Sequence, residues 1–243
     1  LVAFLPRHGR GHRFNPSTVP YRANIWALKQ LGVFWCVTVS AVGSLRAEIA
    51  PEHFVIPDQI IDRTKSRANT FFDEIAVHVG FAHPFDPMLR QVLVEACRAE
   101  QIQVHDGGTY VCMEGPLFST KAESEMHRAW GASLIGMTAL PEAKLAREAE
   151  MAYATIALAT DYDCWFEEDI VSVDKVLAHL RNNVANVQRA IRRIIPTIPL
   201  EREAQNPCSQ ALATAIMTAP TLIPESTWQS LGFLIERYVP RPR

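Results

Sequence analysis

Short apolar runs alternate with amphipathic segments along the chain, and this alternation predicts an α/β fold. The apolar runs, which we expect to form strands, are 1–5, 33–39, 53–61, 109–113, 133–137 and 151–159. The segments with helical spacing are 20–31, 86–101, 120–131, a stretch from Pro141, 172–195 and 227–237. Near-continuous apolar runs are typical of strands that are covered on both faces. We therefore predict a largely parallel or mixed central sheet flanked by helices, with a long loop over 63–85.

Capping residues locate several of the helix ends. Asp86 and Pro87 suit the N-cap and the first position of one helix, and Thr120 with Glu123 has the pattern of a capping box. Pro196 ends the long helix, because proline cannot continue the hydrogen-bond ladder.

The two ends of the chain differ from the middle. Proline is frequent from residue 197 onward, so we predict a domain over 1–199 and a C-terminal extension over 200–243 with a terminal helix. The chain opens with Leu1 instead of Met, inside an apolar run that lacks the pattern of a signal peptide. We expect that it begins inside a longer protein.

Composition excludes several classes of protein. The 243 residues are 48% apolar and carry a net charge of −2, which argues against disorder. The lack of a basic excess argues against a nucleic-acid binder. No apolar run reaches the roughly 20 residues of a membrane-spanning helix.

The cysteines and histidines indicate neither disulfides nor a metal site. The five cysteines are scattered and include no Cys-x-x-Cys pair, so we expect reduced thiols in a cytoplasmic protein. The eight histidines include no His-Glu-x-x-His motif. We expect no metal and no cofactor.

Candidate chemistry follows the predicted strands, where ligands of open α/β sheets bind. The polar stretches at these positions are 7–12, 40–44, 114–119 and 160–163. Arg7, His8 and Gly9 suit a phosphate, because a guanidinium and exposed backbone amides bind anions. A solvated basic turn explains these three residues equally well. Ser40 to Gly43 is by itself best explained as an ordinary turn after a strand.

Two carboxylates, Asp161 and Asp163, follow the most apolar run. Partial burial would raise the pKa of at least one and make it a proton donor or a hydrogen-bond acceptor. A polar turn that uses aspartate side chains is the competing interpretation. Phe118 is interpreted either as core or as a platform for a flat ligand.

Taken in order, six motifs resemble one family. They include Arg7-His8-Gly9-Arg10-x-His12, Glu114-Gly115-Pro116-x-Phe118-Ser119 and Ala159-Thr160-Asp161-Tyr162-Asp163-Cys164-Trp165, and the others lie in 40–46, 58–64 and 136–142. The set resembles the 5′-methylthioadenosine phosphorylases, within the trimeric branch of the purine nucleoside phosphorylases. The resemblance runs from Leu1 to about Pro199, and the tail matches poorly.

The resemblance implies a three-layer fold with a mixed, mostly parallel twisted sheet, and a reaction in which phosphate releases adenine from methylthioadenosine. It implies phosphate binding by Arg7, His8, Ser40, Ala41 and Thr138. It implies nucleoside binding by Phe118 and Ser119 at the adenine, Met137 at the ribose, and Thr160. Val173, Val176 and Leu177 would form an apolar wall at the 5′-methylthio group, where branches that prefer a 5′-hydroxyl have a histidine at position 173. Plain core is the competing interpretation of this wall. His78 resembles a residue that enters the neighbouring subunit's pocket, which implies a homotrimer.

Within this resemblance, Asp161 and Asp163 determine the base. A carboxylic acid near N7 stabilises the departing purine, and an aspartate accepts from the exocyclic amino group of adenine. Members that act on 6-oxopurines have Asn at position 161 and Glu at position 119, whereas this chain has Asp161 and Ser119. Adenine is therefore the expected base, and a 6-oxopurine or methylthioinosine phosphorylase is the alternative.

One departure from the family pattern concerns the start of the chain. The family has a glycine-rich turn with Ser or Thr after its first strand, and nothing precedes Leu1 here. We expect the chain as given to lack one strand and one wall of the phosphate site. Two further alternatives are a histidine phosphatase with His8 as nucleophile, and an inactive relic that binds purines.

Overall fold

A computed structural model describes residues 1–166 and 173–241, without the side chains of 173–176 and 178. Its strands are β1 Trp35–Ser44, β2 Phe54–Ile56, β3 Gln59–Arg63, β4 Val104–Asp106, β5 Thr109–Met113, β6 Leu134–Gly136 and β7 Ala152–Asp161. Its helices are α1 Tyr21–Gln30, α2 Pro87–Ala99, α3 Lys121–Ala129, α4 Glu142–Glu148, α5 Val173–Ile194 and α6 Glu225–Ile235. None of the helices within the described residues is long and apolar enough to cross a membrane.

The strands form one seven-stranded sheet in the order β3-β5-β6-β1-β7-β2-β4. Four neighbouring pairs are parallel, whereas β1 with β6 and β2 with β7 are antiparallel. The two central strands, β1 and β7, are ten residues long and pair from Trp35 with Ala152 to Gly43 with Asp161. The predicted mixed, mostly parallel sheet is confirmed.

Helices cover both faces of this sheet, and each face has its own apolar core. The larger core includes Ile25 of α1, Leu145 of α4 and Trp228 of α6. The second includes Leu93 of α2 and Val187 of α5. Because the sheet is covered on both sides, its central strands are largely buried. The strand β7, for example, is buried from Ala152 to Thr160.

Local capping signals locate the helices correctly. Asp86 caps α2 by accepting a hydrogen bond from the Leu89 amide at 2.7 Å. Thr120 and Glu123 form the capping box of α3. The strand predicted at 109–113 and the loop after β3 are also confirmed.

Three strand predictions need correction, and one strand was not predicted. Residues 1–6 have no regular structure, and the apolar side chains of 1, 2, 4 and 5 are exposed. The run 53–61 is two strands, because Pro57 interrupts it and sends β2 and β3 to different parts of the sheet. Residues 40–44 continue β1, so the predicted turn after residue 39 is wrong. The short strand β4 is not signalled by its sequence, Val-His-Asp.

The segment 200–241 packs on the larger core. Besides α6 it consists of short 3₁₀ turns, and it contributes Leu212, Ile223, Trp228 and Ile235 to that core. The division of the chain at residue 199 stays a prediction.

Candidate active site

Two hydroxyls predicted to bind phosphate meet beside the centre of the sheet. Ser40 lies in the middle of β1, and its Oγ is 3.3 Å from Oγ1 of Thr138, which follows β6. The same Ser40 oxygen is 3.0 Å from the hydroxyl of Tyr110, on β5. Gly136 makes this possible, because a Cβ there would overlap the Tyr110 hydroxyl. Ala41 follows Ser40 and is exposed, which leaves this part of β1 accessible.

Arg7 is fixed next to these hydroxyls. Its Nη1 donates to the carbonyl of Val39 at 2.8 Å, one residue before Ser40. Its Nε and Nη2 donate to the two carboxylate oxygens of Glu142 at 3.0 and 2.9 Å. Burial alone would lower the pKa of Arg7, but Glu142 outweighs it and raises the pKa, so the guanidinium stays charged. Three of the five N–H groups of an arginine are engaged in this way, and an anion would contact the rest of the fork.

His8 presents a neutral ring. Its Nδ1 lies 2.8 Å from the carbonyl oxygen of Phe14, and because a carbonyl can only accept, Nδ1 carries the proton. Burial lowers the pKa of His8, and the ring stacks on His12 at 4.1 Å. Nε2 is therefore the accepting atom at neutral pH, and it suits a protonated oxygen of phosphate.

The carboxylate pair lies where β7 ends. Asp161 accepts from the Asp163 amide at 2.8 Å and from the Thr160 hydroxyl at 2.7 Å. Asp163 is 6% exposed, and its Oδ2 has no hydrogen-bond partner among the described residues. Burial raises the pKa of Asp163. This arrangement favours a functional pair over a solvated polar turn.

The segment after β5 presents an aromatic ring near the carboxylates. The backbone carbonyl of Ser119 accepts from the thiol of Cys164 at 3.4 Å, which holds the segment next to Asp163. Phe118 is 64% exposed, so its interpretation as a core residue is wrong. An exposed ring at this position is accessible to a flat ligand.

Sequence reasoning missed Arg67, which links the backbone after β6 to the backbone after β5. Its buried guanidinium donates to the carbonyls of Met137 and Leu140, both at 2.6 Å, and to that of Glu114. A charged residue in an irregular loop is ordinarily interpreted as solvated, so the sequence offers no signal for this role. Met137 also packs its sulfur against Gly115, where a Cβ would clash.

Glu114 holds the start of the segment after β5, which contains Phe118 and Ser119. Its carboxylate accepts from the Ser17 hydroxyl at 2.7 Å, the Lys65 amide at 2.6 Å and the Ser66 hydroxyl at 2.9 Å. Burial alone would raise the pKa of Glu114, but these hydrogen bonds and Arg67 lower it to about 2. The carboxylate is therefore ionised at physiological pH.

The described residues do not test the remaining predicted contacts. The side chains of Val173 and Val176 lie outside the described residues, and Leu177 is half exposed on α5. His78 is exposed in the loop after β3, and its amide donates to Ala215 at 2.8 Å. Their roles at the 5′ group and in a neighbouring subunit stay predictions.

Known proteins resemble the chain over almost its whole length. The family model of the phosphorylase superfamily matches residues 1–196. An S-methyl-5′-thioadenosine phosphorylase of Geobacter sulfurreducens is 53% identical over 98% of this chain and 84% of its own length. A protein of the same name from Chloroflexus aurantiacus is 55% identical over 98% of this chain and 83% of its own. The family model thus ends before the tail, whereas the alignments to these two relatives extend into it.

Solved structures agree with the sequence relatives. A methylthioadenosine phosphorylase from an antarctic soil metagenomic library superposes with a TM-score of 0.91, at 48% identity, over 96% of this chain and 83% of that chain. A mutant adenosine/methylthioadenosine phosphorylase from Schistosoma mansoni, in complex with methylthioadenosine, has a TM-score of 0.78 at 36% identity and covers 86% of this chain and 81% of its own.

Proposed function

The chain belongs to the phosphorylase superfamily, and from this premise we propose that it catalyses phosphorolysis of 5′-methylthioadenosine to adenine and 5-methylthioribose 1-phosphate. The relatives that carry this name match nearly the whole chain. The Asp161 and Ser119 side chains support adenine over a 6-oxopurine.

The observation that carries the proposal is the position of two groups on neighbouring central strands. Ser40 lies on β1, beside Arg7 and Thr138. It is three residues before Gly43, and Gly43 pairs with Asp161 on β7. Three strand residues span about 10 Å. This spacing supports an anion and a purine bound on opposite sides of the C1′ carbon of a ribose.

The chemistry follows from the groups on each side of C1′. A phosphate oxygen held by Arg7, His8, Ser40, Ala41 and Thr138 forms a bond to C1′ while the bond from C1′ to N9 breaks. The electron pair of the broken bond moves onto the purine. Asp161 and Asp163 meet that charge, one carboxyl holding a proton at N7 and the other accepting from the amino group.

The experiment is an assay of adenine release from methylthioadenosine by the intact protein, with and without phosphate. Adenine should appear only with phosphate, in equal amount to methylthioribose 1-phosphate, and inosine should react poorly. Turnover of inosine at an equal or better rate would contradict the choice of base. A stable phosphohistidine at His8 would indicate a histidine phosphatase, and adenine binding without turnover would indicate an inactive relic.

We further propose a cytoplasmic homotrimer that acts in purine and methionine salvage, with phosphate as co-substrate and neither metal nor cofactor. Five free cysteines, four of them buried, suit a reducing compartment. The exposed position of His78 allows it to reach a neighbouring subunit. Sedimentation of the protein should give three times the mass of one chain, and a chelator should leave the activity unchanged.

A further inference from the structure

A buried carboxylate and a buried phenol lie behind Arg7. Glu142, the first residue of α4, is 5% exposed and accepts both N–H groups from Arg7. It also accepts from the Tyr153 hydroxyl at 3.0 Å, on β7. That hydroxyl in turn accepts from the Thr38 hydroxyl at 2.9 Å, on β1. The four side chains form one continuous chain of hydrogen bonds.

The direction of each hydrogen bond in this chain is fixed. Arginine can only donate and a carboxylate can only accept, so Glu142 is the acceptor for Arg7 and for Tyr153. Burial, and then the charge of Glu142, raise the pKa of Tyr153, so the phenol keeps its proton and donates it. With its proton directed to Glu142, the Tyr153 oxygen can only accept from Thr38. The chain of hydrogen bonds therefore has one arrangement, and no alternative pattern of donors competes with it.

These hydrogen bonds hold Arg7 in place before an anion binds. An arginine side chain loses considerable rotational freedom when it binds a ligand, and this loss weakens binding unless the side chain is already held in place. Here Glu142 fixes one edge of the guanidinium and the Val39 carbonyl fixes Nη1 beside Ser40. The negative charge of Glu142 is also met by three donors, which reduces its repulsion of an anion nearby.

We propose that Thr38, Tyr153 and Glu142 are positioning residues for phosphate. They act by holding the Arg7 guanidinium beside Ser40 on β1. The inference rests on the proposed function, because it takes the group of Arg7, Ser40 and Thr138, here called the phosphate cradle, as the phosphate site. It assigns a role to three residues that do not themselves contact the substrate, and it makes affinity for phosphate depend on a hydroxyl inside the sheet.

The test is Tyr153→Phe, which removes the hydroxyl and keeps the ring. We expect the Kd for inorganic phosphate, measured by calorimetry, and the KM for phosphate to rise roughly 3- to 10-fold, because one hydrogen bond to a charged group is lost. The KM for methylthioadenosine should change by less than about twofold, because the base side is untouched. Thr38→Val should act in the same direction, by about two- to threefold.

Tyr238→Phe is the matched control. Tyr238 donates to the buried Glu150 at 2.7 Å, the same pairing away from the phosphate cradle. This variant should lose stability as Tyr153→Phe does and leave the Kd for phosphate unchanged. Equal Kd values in the two variants would overturn the inference, since the Tyr153 hydroxyl would then be structural only.

The two proposals fail in different ways. A wild-type protein that binds phosphate without releasing adenine would contradict the proposed function, and the Kd values would still decide the positioning role. An intact wild-type protein that does not bind phosphate would overturn both. If Tyr153→Phe does not fold, Thr38→Val alone decides, and an unchanged phosphate Kd in that variant overturns the inference.

Discussion

Asp161 is a carboxylate that the protein holds from two sides, by the Thr160 hydroxyl and the Asp163 amide. Asp161→Asn keeps an oxygen for the Asp163 amide but replaces an acceptor by a donor. The ratio of kcat/KM for methylthioadenosine to that for methylthioinosine should fall by about 100-fold or more, because a buried site rejects a base whose hydrogen bonds it cannot complete. Steady-state kinetics with both nucleosides measures this ratio. An unchanged ratio would refute the role of Asp161 in base choice.

Asp163 should make stability depend on pH. Because burial raises its pKa in the folded protein, its contribution is fully present below the pKa of the unfolded chain and is lost as pH rises through the folded pKa. Ionised Asp163 therefore costs stability at neutral pH. Asp163→Asn should raise the free energy of unfolding at pH 7, lose this advantage below about pH 4, and impair catalysis. Urea denaturation across this range is the measurement, with the exposed Asp73→Asn as control.

At the scale of elements, the cap of α2 also anchors the C-terminal segment. Asp86 Oδ1 accepts from the Leu89 amide, and its Oδ2 accepts from Asn206 at 2.8 Å. Asp86→Ala should lower the free energy of unfolding by about 2–4 kcal/mol, of which about 1 is the cap and the rest the unpaired, buried Asn206 amide. Thr120→Ala, which removes only an exposed cap, should cost about 1 kcal/mol. Equal losses in denaturant titrations would show that the Asn206 contact adds nothing.

Elements were predictable from sequence where the signal is local. The Asp86 cap and the Thr120 capping box define their helices within four residues, and both helices form as expected. The run 1–5 has the composition of a strand but leaves its apolar side chains exposed, and β4 is too short to show a pattern. Strand pairing depends on partners that are distant in the sequence, and composition does not reveal them.

The residues of the candidate site also differ in how far the sequence reveals them. Ser40 and Asp161 belong to motifs that can be recognised along the chain. Arg67 and Glu142 act through partners as far as 73 and 135 residues away. A buried charge is tolerated only because the fold supplies such partners, and a sequence alone does not show which charges will find them.

At the scale of the whole molecule, the larger core joins the segment after residue 199 to the sheet. Trp228 of α6 is 4% exposed within that core. Trp228→Ala should lower the free energy of unfolding by about 3–5 kcal/mol, because a large cavity opens in a shared core. The protein should still unfold in one transition when circular dichroism and fluorescence are followed together.

Leu222→Ala is the control for this substitution, because Leu222 lies in the same segment and is 73% exposed. It should change stability by no more than about 0.5 kcal/mol. Two separate transitions in Trp228→Ala, with the sheet melting at the wild-type temperature, would instead show that 200–241 is an independent extension. A single transition at lower stability would mean that the sheet requires this segment. The loss of one side chain from the segment would then have weakened the larger core, which the segment shares with the sheet.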